Sequence, residues 1–136
     1  MRDYSAEQIS LAKLRLGNAK EDCESAVLEF EQGHYKAANN RAYYCIFHAI
    51  RAVFSLENVD FKSHAQLIGY FNKNYIHTGK LDVSLSKIIS EANGLRTNSD
   101  HNDFFVATAE ESGEIVKGAK VFLKAITDFL EGNFIL

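Results

Sequence analysis

Not one proline occurs in the 136 residues, and that absence constrains the fold more than any other feature. Proline breaks helix interiors and marks turns, so each periodic apolar segment here reads as an uninterrupted helix. Starts and stops are written in other residues. Ser5-Ala6-Glu7-Gln8 has capping-box form, and Ser63-His64-Ala65-Gln66 and Thr108-Ala109-Glu110-Glu111 repeat it. In each, a hydroxyl can accept from a free backbone N–H of the first turn.

Between these signals the apolar residues recur at helical spacing. Ile9, Ala12, Leu16, Ala19, Cys23, Ala26 and Phe30 fall on one face of a first helix, which Gly33 stops. A second helix runs from about Tyr35 to Leu56 and carries three stripes. Ala38, Ala42, Cys45, Ala49 and Ala52 are small; Tyr43, Ile46, Ile50 and Val53 are bulky; Arg41, Tyr44, His48, Arg51 and Ser55 are polar or aromatic. Apolar residues around so much of the circumference imply a central helix touched on two sides. A shorter third helix follows Ser63 with Leu67, Ile68, Tyr70, Phe71 and Tyr75, and ends at Gly79. A fourth starts near Asp82 or Ser84 with Leu85, Ile88, Ile89, Ala92 and Leu95. The last opens after Thr108, buries Ile115, Ala119, Phe122, Leu123, Ile126, Phe129 and Leu130, and ends near Gly132. No segment alternates with the period of a strand. The expectation is an all-α fold, a single domain over residues 1–136, built as an antiparallel bundle of about five helices.

Hydrophobic residues make up 46% of the chain, enough for a core without disulfides or a metal. Cys23 and Cys45 sit within helical stripes and read as small buried residues of a reducing cytosol. The net charge of −3 argues against a general binder of nucleic acid or anionic membrane, while leaving room for a local basic pocket. No long apolar run marks a membrane span, and Met1-Arg2-Asp3-Tyr4-Ser5 lacks a signal-peptide core. A cytoplasmic protein without a membrane segment is expected.

The histidines, His34, His48, His64, His77 and His101, show none of the paired spacings of a metal site, and no glycine-rich phosphate loop is present. Neither metal nor cofactor is expected. The run Arg96-Thr97-Asn98-Ser99-Asp100-His101-Asn102-Asp103 has no apolar side chain. It reads either as a solvated helix end or as a site. On an ideal helix Arg96 and His101 would stand about 140° apart, so they converge only at a pocket reached from both flanks or where the helix distorts. An arginine beside an imidazole suits phosphodiester chemistry: the guanidinium neutralises phosphoryl oxygens and the imidazole moves a proton near neutral pH. Arg41, Tyr44, His48 and Arg51 are the second candidate set, for phosphate or substrate binding. Their alternative is structural, with Arg41 paired to an acidic residue and Tyr44 at the core edge.

The segment Asn39-Asn40-Arg41-Ala42-Tyr43-Tyr44-Cys45-Ile46-Phe47-His48-Ala49, with Lys62-Ser63-His64 after it and Arg96 to His101 later, resembles the HEPN superfamily, in particular its small stand-alone prokaryotic branch. The likeness covers residues 5 to 132 or so, in the same helix order. It implies a helical bundle that commonly forms a homodimer. In active members the Arg-x-x-x-x-His motifs of two protomers share a cleft that cleaves RNA without metal, and several such members are toxins paired with a nucleotidyltransferase-type antitoxin. Carried over, Arg96 would hold the scissile phosphate, His101 would be general acid or base, and Asn98 or Asp100 would orient them. Thr97 stands where active members often have Asn, Asp or His, and Asp103 where the best-known toxins carry Tyr. The alternative implied by the resemblance is a non-catalytic module that binds a nucleotide or a nucleotidyltransferase-type partner.

Overall fold

The computed structural model describes residues 4–133; residues 1–3 and 134–136 of the expected domain lie outside that range. Five α-helices follow one another: α1 (Ala6–Glu31), α2 (Tyr35–Phe54), α3 (His64–Phe71), α4 (Ser84–His101) and α5 (Ala109–Gly132). The starts fall where the hydroxyl residues place them. Ser5 accepts from the Gln8 backbone N–H at 3.0 Å while the Gln8 side chain accepts from the Ser5 N–H. Ser63 and Thr108 accept from Gln66 and Glu111 in the same way. α4 uses a different device, the Asp82 carboxylate accepting from the Ser84 N–H at 2.9 Å. Gly33 and Gly79 take φ of 78°, the left-handed conformation that ends a helix and that a side chain would strain.

α1 and α2 form a close antiparallel pair. Ala12, Leu16, Ala19, Cys23 and Ala26 of α1 are buried, as are Ala38, Ala42, Cys45, Ala49 and Ala52 of α2. Small side chains on a helix face let two backbones approach. α2 also packs on α4 and α5, which explains its apolar circumference. Its bulky stripe meets Leu67 and Phe71 of α3, Leu85 and Ile89 of α4, and Phe122 and Ile126 of α5 in one continuous core.

The third helix is not one α-helix to Gly79. After Phe71 it opens into a π-helical turn, Asn72–Ile76, closed by the His77 N–H donating to the Asn72 carbonyl at 2.8 Å. The wider turn lets consecutive Tyr75 and Ile76 both bury. Tyr75 stacks on Phe71 at 5.5 Å, and both Tyr70 and Tyr75 donate their hydroxyls to Glu57. No helix among the described residues is long and apolar enough to cross a membrane.

Candidate functional site

The polar run does not leave the helix. α4 continues without a break through His101, so the distortion that would bring Arg96 and His101 to one face does not occur. Residues 96, 99 and 100 recur at helical spacing and turn towards α2. The buried Asn39 donates to Ser99 Oγ at 3.3 Å, and Asn40 donates to Asp100 Oδ2 at 3.3 Å. Arg96 lies over the Tyr43 ring, 4.5 Å from its centre. At this end of the bundle the antiparallel α2–α4 seam is therefore polar.

Arg96 is the centre of that seam. Its side chain is only 13% exposed, and it donates to Asn93 Oδ1 at 3.2 Å and to His64 Nδ1 at 3.4 Å. Its Nε is buried without a partner. The nearest carboxylate among the described residues, Asp100, stands off at 3.8 Å. The other arginines among the described residues differ in this respect: Arg15, Arg41 and Arg51 lie 3.2, 2.9 and 2.7 Å from Asp60, Asp22 and Asp60 respectively. Arg96 is thus a fixed, stacked cation whose charge is the least neutralised of the four, in a place where water screens it poorly.

His64, at the start of α3, closes the other side. Tyr43 Oη is 2.8 Å from His64 Nδ1. The ring stacks on Tyr43 at 5.6 Å, packs on Phe47 at 4.6 Å and meets Tyr44 edge-on. Burial, and next the Arg96 charge, push the His64 pKa below its ordinary value; burial pushes the Tyr43 phenol up. At neutral pH both groups are uncharged.

The remaining sequence candidates fall into three places. Asp100 faces Arg96, as just described, whereas Asn98 lies on the other flank of α4, in a groove of about 450 Å³ with Glu91, Glu110, Glu111 and Glu114. His101 is exposed at the last position of α4 and makes no side-chain hydrogen bond to a described residue. Within the chain, Arg96 meets His64 and not His101. Arg41 is ion-paired with Asp22, its guanidinium 5.4 Å from the Tyr44 ring centre, and it borders a groove of about 470 Å³ with Lys36, Asn40 and Asp100. His48 faces the same Asp22 at 3.5 Å, with its Nδ1 buried and unpaired; burial holds its pKa down, opposed by Asp22. Arg51 is bound to Asp60. Arg41 and Arg51 are thus each paired with an aspartate.

The sequence places Tyr43 in the apolar stripe, and Asn39 and His64 enter only as part of the resemblance, without a site role; Asn93 carries no signal there. One signal was available: a tyrosine inside a fully buried stripe needs a partner for its hydroxyl, and a polar partner was bound to lie beside it.

The sequence profile described as "HEPN domain" matches residues 12–129. The protein named "Putative toxin MJ0605" from Methanocaldococcus jannaschii is 31% identical over 113 residues, covering 83% of this chain and 84% of that protein. A "UPF0332 protein" from Thermotoga maritima is 26% identical, covering 83% and 86%. "Putative toxin MJ0142", also from Methanocaldococcus jannaschii, is 26% identical, covering 87% and 80%.

Proposed function

The chain belongs to the HEPN domain family, and from that premise we propose that it is a small toxin-like HEPN endoribonuclease that acts as a homodimer. The observation that carries the proposal is Arg96, held by Asn93 and stacked on Tyr43 with no carboxylate of the described residues closer than 3.8 Å. A rigid, under-neutralised guanidinium is what a phosphodiester needs as it gains charge towards a five-coordinate state. Two relatives, each named "Putative toxin", support the same reading.

In the proposed reaction the ribose 2′-oxygen attacks phosphorus while the bond to the 5′-oxygen breaks, leaving a 2′,3′-cyclic phosphate and a 5′-hydroxyl. His101 takes the 2′-hydroxyl proton and the imidazolium returns a proton to the departing 5′-oxygen. Arg96 holds the non-bridging oxygens throughout. Because α4 is regular, Arg96 and His101 of one chain diverge, so in the proposed site the His101 imidazole comes to the guanidinium from a second copy. Phe104 and Val106, 93% and 75% exposed just beyond His101, offer apolar surface for that copy. The test is cleavage of single-stranded RNA in EDTA. Arg96→Ala and His101→Ala should each lower the rate by about a hundredfold or more; equal cleavage by both variants and the parent chain would point to another site or a contaminant.

One observation favours a second reading. His101 touches neither Arg96 nor any other described side chain through a hydrogen bond, as suits a non-catalytic module that binds a nucleotide or a nucleotidyltransferase-type antitoxin. Expression without any partner separates the two. Growth arrest relieved by His101→Ala belongs to the ribonuclease, and partner co-purification without toxicity belongs to the module.

A further inference from the structure

We propose that His64 is a phosphate-binding residue of the same site, presenting Nε2–H to an oxygen of the phosphodiester that Arg96 holds. The inference rests on the phosphodiester reading above for the identity of the ligand, and on geometry for the role.

The tautomer follows from what surrounds Nδ1. A guanidinium N–H of Arg96 reaches it at 3.4 Å, and an arginine can only donate. The Tyr43 hydroxyl lies 2.8 Å from the same nitrogen and can donate its proton to it. Two donors converge on Nδ1, which must carry the lone pair. The ring proton is therefore on Nε2. That nitrogen has no partner among the described residues and is not among the buried unpaired atoms, so it is open to solvent. Phe47, Tyr43 and Tyr44 hold the ring against rotation.

The result is a neutral N–H donor beside a fixed cation, supplied by α3 and α4 and braced by α2. A phosphate oxygen can take one hydrogen bond from each. A purely structural imidazole would need Nδ1 alone; the exposed Nε2–H is the part that structure leaves unused.

Two substitutions separate the halves of the ring. His64→Asn keeps an acceptor at the Nδ1 position and removes the Nε2 donor. His64→Gln keeps a donor near Nε2 and removes the acceptor. The probe is a single-stranded oligodeoxyribonucleotide, which lacks the 2′-hydroxyl and cannot be cleaved, titrated against the full chain at low salt. The imidazole Nε2 resonance of His64 should shift on titration, and His64→Asn should weaken binding about tenfold, as loss of a hydrogen bond to a charged group requires. His64→Gln should lose less, and RNA cleavage by His64→Asn should suffer in KM more than in kcat. Unchanged affinity of His64→Asn with an unmoved His64 resonance overturns the proposal, as does failure of the parent chain to bind the probe. Should either variant fail to fold, the resonance shift of the parent chain decides alone. Cleavage of RNA with no effect at His64 leaves the ribonuclease standing without this residue. Probe binding through His64 without cleavage leaves the phosphate site standing without the ribonuclease.

Discussion

Arg96 and two half-buried histidines, His48 on α2 and His64 at the start of α3, behave as they do because their surroundings differ by a few ångströms. Arg96 keeps its charge available because its neighbours are an amide, a phenol and an imidazole rather than a close carboxylate. Arg96→Lys should therefore be a poor replacement. An ammonium keeps the charge but loses the flat face on Tyr43 and the fork that reaches Asn93 and His64 together, and RNA cleavage should fall about tenfold or more, measured beside an unchanged circular-dichroism spectrum. His48 and His64 carry a pH dependence of stability. Both have pKa values lowered mainly by burial from the ordinary 6.5. The unfolded chain then binds protons near pH 6.5 that the folded chain refuses, so stability falls as pH drops through that value and down to the folded pKa. The Asp60 carboxyl, held below its usual 3.8 by Arg51, stabilises at all pH above that and is lost only under stronger acid. The urea midpoint should thus decline between about pH 7.5 and about pH 5.5, and His48→Gln should flatten the decline. A midpoint that is level over this range would show that these imidazoles are freely protonated in the folded chain.

Helix ends and helix faces were the most legible elements, because their causes are local. Ser5, Ser63 and Thr108 cap helices where their spacing to Gln or Glu predicts, and Gly33 ends one by taking a positive φ. Thr108→Ala should cost about 1 kcal/mol by removing the hydroxyl that accepts from the Glu111 N–H, read by thermal or urea unfolding. Helical glycines give a sharper contrast. A Cβ at Gly94 would meet nothing within 4 Å, whereas one at Gly118 would sit 3.2 Å from Ile88 Cγ2. Gly94→Ala should gain about 0.5–1 kcal/mol from helix propensity, and Gly118→Ala should gain less or lose, since Ile88 must move. Equal gains at the two positions would mean that the α4–α5 contact yields freely. What the sequence hid was non-local. The polar run after Leu95 reads as a solvated end, yet it stays helical because Ser99 and Asp100 find Asn39 and Asn40 on α2. Asn39 stands next to an alanine stripe, and nothing local distinguishes it from a surface amide. The π-helical turn was equally silent, since it exists to satisfy two adjacent inward residues and not a residue preference.

At the scale of the whole molecule the bundle is the frame of the proposed site. Phe122, fully buried between α5 and the rest of the core, should cost about 3–5 kcal/mol on replacement by alanine, a large part of the roughly 5–15 kcal/mol that holds a domain of ordinary stability. The α4–α5 connection is built differently, with Phe104 almost wholly in water beside the exposed His101. That surface is the proposed meeting place of two copies. Phe104→Glu should shift the sedimentation profile from dimer to monomer and lower RNA cleavage, while leaving thermal stability of the monomer nearly unchanged. The central claim is that Arg96 and His101 act on one phosphodiester from different copies of the chain. Its most direct test mixes two dead variants in EDTA after subunit exchange and measures RNA cleavage. Arg96→Ala and His101→Ala alone should be inactive, and their equal mixture should regain about a quarter of the parent activity, since half the dimers are mixed and each holds one intact site. A mixture as inactive as its two components, or single variants as active as the parent chain, would contradict it.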